Sequence, residues 1–250
     1  MISNIFAILT EITADCNNKP YIYGGFVRDT LAKLPFNDID IRVFDRNTST
    51  KFISKLEEKY DIRILKCNYD GSISIKIISK ETDEFVNFDI TFCTERNNIV
   101  HDFDVNMFYT TTLSEKITNN IERLNEHCNR FNTLLHIINH EFVILNSFGY
   151  PTIEHLNPTM VFDPVTCVIR YSDNRRYSSC IRRSSLQGRK LRERRKKMER
   201  KGWKCLNKDC QNPECVLAPD SLVIEYNNYL HGFMKVNGKL PESSSHCDEL

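Results

Sequence analysis

Within residues 37–44, Asn-Asp-Ile-Asp-Ile-Arg-Val-Phe, polar and apolar side chains alternate from Asp38 to Val43, and this run constrains the fold more than any other part of the chain. Successive side chains of a strand point to opposite faces, so Ile39, Ile41 and Val43 share one face and Asp38, Asp40 and Arg42 the other. The pattern predicts a half-buried strand in a sheet with one face on a core and one face open. Asp38 and Asp40 then stand with Cα atoms roughly 6.5 Å apart, close enough to share hard divalent cations and mutually repulsive without them.

The neighbouring segments extend this to an α+β reading. Ile2, Ile5, Phe6, Leu9 and Ile12 recur at helical spacing, predicting a helix over residues 2–15. A short strand at residues 21–23 is broken by Gly24-Gly25, and Val27, Leu31 and Leu34 mark a helix stopped by Pro35. Phe52, Ile53 and Leu56 predict a further helix at 49–59. Strands follow at 62–67, 72–78 and 85–92, the first two joined by a turn at Asp70-Gly71. In the last of these, Asn87, Asp89 and Thr91 share the polar face. The stretch from Leu113 to about residue 140 reads as helix, with short strands at 142–145 and 167–171. Strand, Gly-Gly, helix is a device for holding phosphates, because bare backbone approaches the anion closely. Three carboxylates on adjacent strands beside such a cradle suit two-metal phosphoryl or nucleotidyl transfer.

The formal charge of +1 conceals a division. Residues 170–204 carry 15 Lys/Arg against Asp173, Glu193 and Glu199, a local +12 that leaves −11 for the rest. From Gly188 to Gly202 the run favours helix, with only Leu191 and Met198 as an apolar seam and Gly202 as a stop. A helix cationic nearly all round repels itself unless an anion neutralises it, and a nucleic-acid backbone is the obvious anion. Candidate RNA contacts are Arg182, Arg183, Arg189, Lys190, Arg192, Arg194, Arg195, Lys196 and Lys197, with Tyr171 and Tyr177 placed to stack on bases. A nuclear-localisation signal or a merely solvated helix would explain the same run.

No run of eighteen apolar residues predicts a membrane span, and the N-terminus lacks a secretory pattern, so a cytoplasmic or nuclear protein is expected. In such a setting the ten cysteines read as reduced thiols or metal ligands. Cys205, Cys210 and Cys215 stand five apart and suggest a structural zinc site whose fourth ligand would come from Cys167, Cys180, His231 or Cys247, or else three unrelated thiols. Cys16, Cys67, Cys93 and Cys128 fall in apolar patterns and read as core, while His136 and His140, four apart, read as structural.

The run Tyr21-Ile22-Tyr23-Gly24-Gly25-Phe26-Val27-Arg28-Asp29, followed by Asn37-Asp38-Ile39-Asp40-Ile41, resembles the signature of class II tRNA CCA-adding enzymes and bacterial poly(A) polymerases, of the DNA polymerase beta nucleotidyltransferase superfamily. His101-Asp102-Phe103-Asp104-Val105-Asn106-Met107-Phe108 is similar to a second family motif, with Val100 and His101 where the family has paired arginines. The likeness spans about residues 20–110. It implies an α+β polymerase beta-like core, a mixed sheet with flanking helices, followed by a mainly helical, basic C-terminal region. The catalytic domain would be residues 1–112. A helical region at 113–204 would hold the RNA-binding block, a Cys-rich module would span 205–235 and a disordered tail 236–250. It further implies that Asp38, Asp40 and Asp89 bind two magnesium ions and that Asp89 assists the attacking hydroxyl. Gly24, Gly25, Arg28, Asp29, Asp102 and Asn106 would serve the nucleotide, ATP and/or CTP. The implied activity adds NMP to an RNA 3′-hydroxyl, on tRNA or mRNA ends. Transfer to a protein or small molecule, or an inactive RNA-binding protein of the same fold, are the alternatives.

Overall fold

In a computed structural model of the chain, Ile39, Ile41 and Val43 are buried while Asp38 and Asp40 remain partly open, so the alternation is realised as strand β2 (Asp38–Val43). The structure describes residues 1–16, 18–68, 72–92, 101–113, 121–123, 128–145, 160–163, 168–171, 185–207, 209–210 and 213–237. Two compact units divide the chain, Met1–Pro151 and Thr152–Leu250.

The first unit is α+β, built on a mixed seven-stranded sheet. Its strands are β1 (Tyr21–Tyr23), β2, β3 (Tyr60–Cys67), β4 (Ile73–Ser79), β5 (Phe85–Phe92), β6 (Phe108–Thr110) and β7 (Glu122–Arg123), in the spatial order β3-β4-β5-β2-β1-β6-β7. Only β2 and β5 run parallel, because a helix and the β3–β4 pair intervene between them; every other pairing is antiparallel. The turn expected at Asp70-Gly71 lies outside the described residues.

Helices α1 (Ile2–Ile12), α2 (Gly25–Leu31) and α3 (Arg46–Glu57) supply the apolar side of the core. Phe88 of β5 is fully buried, with Phe6 of α1 and Phe52 of α3 each edge-on at 6.3 Å. Phe6 in turn meets Phe26 of α2 at 6.1 Å. Edge-to-face rings add specific geometry to the burial of large apolar surfaces. Helix α3 begins three residues before the sequence pattern suggested, because the Asp45 carboxylate caps it by accepting from the Asn47 N–H at 3.1 Å.

Of the helix expected from Leu113 to about residue 140, the described residues include α4 (Arg130–Ile138). Asn129 caps it through its side-chain oxygen and the Asn132 N–H, and Glu122–Arg123 is drawn into the sheet by β6. Asn side chains favour such caps over helix interiors, which is why α4 starts at Arg130. Residues 114–120 and 124–127 lie outside the described set. Of the strand expected at 142–145, Glu141–Phe142 is extended as β8, and Ile144 bridges to Phe103.

Beside this bridge, Asp104 acts as an anchor buried to 3% exposure. Its carboxylate accepts from the Val105 and Val143 N–H groups, each at 2.8 Å, and its other oxygen lies 2.6 Å from His136 Nδ1 on α4. Hydrogen bonding to Asp104 raises the His136 pKa above its ordinary 6.5, against partial burial, which lowers it. Burial, and next the Asp104 charge, push the nearby Cys128 thiol up to about 12, in keeping with a core cysteine.

In the second unit, β9 (Met160–Asp163) and β10 (Val168–Tyr171) pair antiparallel. Helix α5 (Leu186–Arg200) follows, started by the Ser185 side chain accepting from the Gly188 N–H and ended before Gly202, whose φ of 86° suits glycine. Helix α6 (Asp220–Asn237), which the sequence reading did not foresee, half-buries Leu222, Val223, Tyr226, Tyr229 and Leu230 at helical spacing. No helix among the described residues is long and apolar enough to cross a membrane.

Two consequences can be measured. Phe88→Ala is expected to cost about 3–5 kcal/mol in urea unfolding, since three packed elements lose a shared ring. A raised His136 pKa means that protonation favours the folded state. That contribution is fully present below 6.5 and fades as pH rises through the folded value. Unfolding stability should therefore decline on moving to mildly alkaline buffer, and His136→Gln should flatten that part of the decline; parallel curves for the two proteins would contradict it.

Candidate active site

The register places the carboxylates. Asp40 of β2 lies opposite Asp89 of the parallel strand β5, and Asp38 opposite Asn87. Neighbouring strands are roughly 4.8 Å apart, so Asp38, Asp40 and Asp89 occupy adjoining positions on one face of the sheet. Helices α1 and α3 pack from the other face, through Phe88. The sheet thus brings together the three acidic residues that the sequence singled out.

The glycine turn sits beside them. Gly24 joins β1 to α2 with φ 71° and ψ −135°, a conformation open to glycine and strained for other residues. A Cβ at Gly24 would stand 2.8 Å from Asp40 Oδ2. The missing side chain is therefore what lets the turn approach the carboxylate.

Arg28 and Asp29, expected to brace the turn or to touch phosphates, are bonded to each other, and Arg28 also to Asn106. They are 5% and 1% exposed, and Arg28 Nε donates to Asp29 Oδ1 at 2.6 Å. Arg28 Nη1 donates to Asn106 Oδ1 at 2.8 Å, tying the glycine turn to the 3-10 turn at Asp104–Asn106. Asp102 contributes its backbone carbonyl to the Leu145 N–H at 2.9 Å. His101 is 8% exposed, its ring 6.2 Å from that of Tyr23.

The sequence reading missed one contributor to this face, Tyr23, and assigned no role to two others, Arg42 and Thr91. Tyr23, paired with Asp40 across β1 and β2, lies 3.3 Å from the Thr91 hydroxyl. Burial, followed by the charge of Asp40, raises its pKa above the ordinary 10.0. The Arg42 guanidinium stands 5.5 Å from the Tyr23 ring centroid. Alternation along β2 already put Arg42 on the carboxylate side; the Tyr23 and Thr91 neighbours needed the register. His136, by contrast, belongs to the Asp104 anchor.

Among the described residues, no three His, Cys, Asp or Glu side chains gather at metal-holding distance. The site nonetheless suits a hard cation in its donor set, three carboxylates in adjoining register positions, and in the room that glycine leaves beside Asp40. Cys205 Sγ lies 3.2 Å from Asn207 Oδ1, while Cys210 and Cys215 are each 1% exposed. Leu217 links the latter two, its carbonyl accepting from the Cys210 N–H and its N–H pointing at Cys215 Sγ. Cys93, Cys167, Cys180 and Cys247 lie outside the described residues.

On α5, Leu191 and Met198 are the buried seam. Arg189, Lys190, Arg194, Lys196 and Lys197 are exposed, while Arg192 and Arg195 are half-buried, Arg195 bonded to Glu199 at 2.8 Å. Arg182 and Arg183 lie outside the described residues.

Comparison with known proteins finds the uncharacterized protein R69 of Acanthamoeba polyphaga mimivirus 30% identical over 213 residues, which is 81% of this chain and 64% of that protein. Among solved structures, a CCA-adding enzyme with CTP is similar with a TM-score of 0.41 and 18% identity, over 58% of this chain and 34% of that one. The Thermotoga maritima CCA-adding enzyme complexed with tRNA gives a TM-score of 0.41 and 19% identity, over 56% and 32%. The chain thus spans less than two thirds of the relative's length and about a third of each structure's. Residues 62–231 match a family of unknown function, DUF5769, and this covers more than half of the sequence: the chain belongs to that family.

Proposed function

We propose that the chain is a magnesium-dependent nucleotidyltransferase that moves NMP from a nucleoside triphosphate, ATP and/or CTP, to the 3′-hydroxyl of an RNA. The observation that supports this most is the set of carboxylates Asp38, Asp40 and Asp89 in adjoining positions on one open sheet face, with the bare Gly24 turn at Asp40.

In this reading Asp38, Asp40 and Asp89 hold the magnesium ions, which supply charge neutralisation of the triphosphate and a lowered pKa for a bound hydroxyl. Asp89 takes the proton as the 3′-oxygen bonds to the α-phosphorus and the bond to the pyrophosphate oxygen breaks. Gly24 and Gly25 leave the backbone bare for the triphosphate. Arg28, Asp29 and Asn106 hold that turn in place, and Asp102 faces the sugar. The exposed cations of α5 neutralise RNA phosphates, with a contribution that salt weakens.

An RNA-binding protein that keeps the fold would bind RNA and fail to extend it.

Incubation with labelled triphosphates, magnesium and an RNA pool tests the proposal. Extension of RNA that is lost with chelator, and lowered at least about a hundredfold by Asp38→Asn or Asp40→Asn, is expected. No extension by the wild type with any triphosphate would sink it. Gly24→Ala is expected to strain the turn by about 1–2 kcal/mol and to displace Asp40, so its rate should fall while the protein still folds; an unchanged rate would remove the turn from the site.

A further inference from the structure

We propose that the sheet face beside the carboxylates, the strip formed by Arg63, Lys66, Lys76 and Phe85, is a docking surface for the single-stranded RNA segment leading to the 3′ end. This rests on the transfer reading above and assigns the acceptor a path that α5 alone does not give it.

The strip follows from the register. One row across the sheet reads Arg63, Lys76, Asn87, Asp38; the next reads Lys66, Ser74, Asp89, Asp40. Within a row, side chains in register point to the same side of the sheet, so these cations share a face with the carboxylates. At roughly 4.8 Å per strand, Lys76 stands about 10 Å from Asp38 and Arg63 about 14 Å away. Asp61 of β3 and Arg42 of β2 share this face as well, so β3 and β4 present Arg63, Lys66 and Lys76 against one carboxylate, a net +2, beside the three carboxylates of β2 and β5.

Among the described residues Arg63 and Lys66 have no carboxylate partner, and Lys76 rests on the Phe85 ring rather than on a carboxylate. Arg63 lies directly opposite Lys76, and like charges so placed destabilise a sheet. Among the described residues, Arg63, Lys66 and Lys76 form no salt bridge. Charged side chains on an edge strand can serve only to deter edge-to-edge association, which would account for Arg63 and Lys66 on β3. It does not account for Lys76, which sits on the inner strand β4.

Lys76 also carries the most specific feature. Its Nζ lies 3.7 Å from the centroid of the Phe85 ring, and Phe85 is 56% exposed at the start of β5. An exposed ring under a mobile ammonium is a stacking platform with a phosphate contact attached. When a base stacks on Phe85, the lysine can turn to the backbone of the same strand. Base-paired RNA presents no free base face for such a ring, which favours the single strand.

The test is photo-crosslinking of the full chain to a short oligoadenylate carrying 4-thiouridine near its 3′ end, with adducts mapped by mass spectrometry. Adducts within residues 60–92 are expected. Arg63→Glu combined with Lys76→Glu should remove them, weaken affinity roughly tenfold and lower the salt slope by about 1.4, or about 0.7 for each phosphate contact. Phe85→Ala should reduce adduct yield and leave the slope unchanged. Lys55→Glu, a single charge reversal on α3, should change neither. Adducts confined to residues 186–200, a charge-reversed protein that binds as the wild type does, equal affinity for duplex RNA, or displacement by an acidic peptide would each overturn the proposal. Adducts that depend on these cations in a protein that extends no RNA would support the docking surface while rejecting the transfer reading.

Discussion

A central strand that buries only one of its faces governs the first unit. Ile39, Ile41 and Val43 are held by the aromatic cluster under the sheet, and that burial fixes which way Asp38 and Asp40 point. A slip of one residue in the pairing of β2 would turn both carboxylates into the core and three apolar side chains out of it. The cost of burying two unpaired charges makes the register effectively unique. Asp89 inherits the same discipline, because Phe88 and Ile90 on either side of it are buried. The geometry of the acidic face is thus a by-product of how the apolar face packs.

Much of this was legible in the sequence because it is short-range. Alternation over residues 38–43 announces both the strand and the side that stays open, and helical spacing announces α1. The Gly-Gly break located the turn, though not the 2.8 Å that separates a would-be side chain from Asp40. What escaped was written in distant pairs. Asp104 and His136 are 32 positions apart and meet only once α4 packs beside the 3-10 turn. The Asn-rich stretch misled because local periodicity cannot see caps, nor a strand such as Glu122–Arg123 whose partner is β6. Helix α6 was overlooked because its half-buried stripe is thin and lies among polar residues.

Electrostatics divides the molecule as sharply as packing does. The first unit presents acidic groups that oppose one another on an open face, a state that invites hard cations. The second carries α5, where seven of the nine basic residues marked at the outset as RNA contacts lie and where the apolar seam is a single leucine and a single methionine. Neither charge is visible in a formal total of +1. The buried Arg28–Asp29 pair is of another kind. Locked against Asn106, it serves shape, since removing either partner would strand a charge in a dry setting.

The parallel pairing of β2 with β5 also bears on how the chain reaches this structure. Asp40 and Asp89 are register partners 49 positions apart, with α3 and the β3–β4 pair lying between them in sequence. Local pieces such as α3 and the β3–β4 pair close small loops and form early, whereas the β2–β5 ladder must wait for the whole intervening chain to be in place. Asp89 therefore joins Asp38 and Asp40 only when that ladder closes. A chain in which β2 and β5 have not paired keeps Asp89 away from Asp38 and Asp40, without the added repulsion that the final arrangement imposes, and the acidic face is completed as that ladder forms.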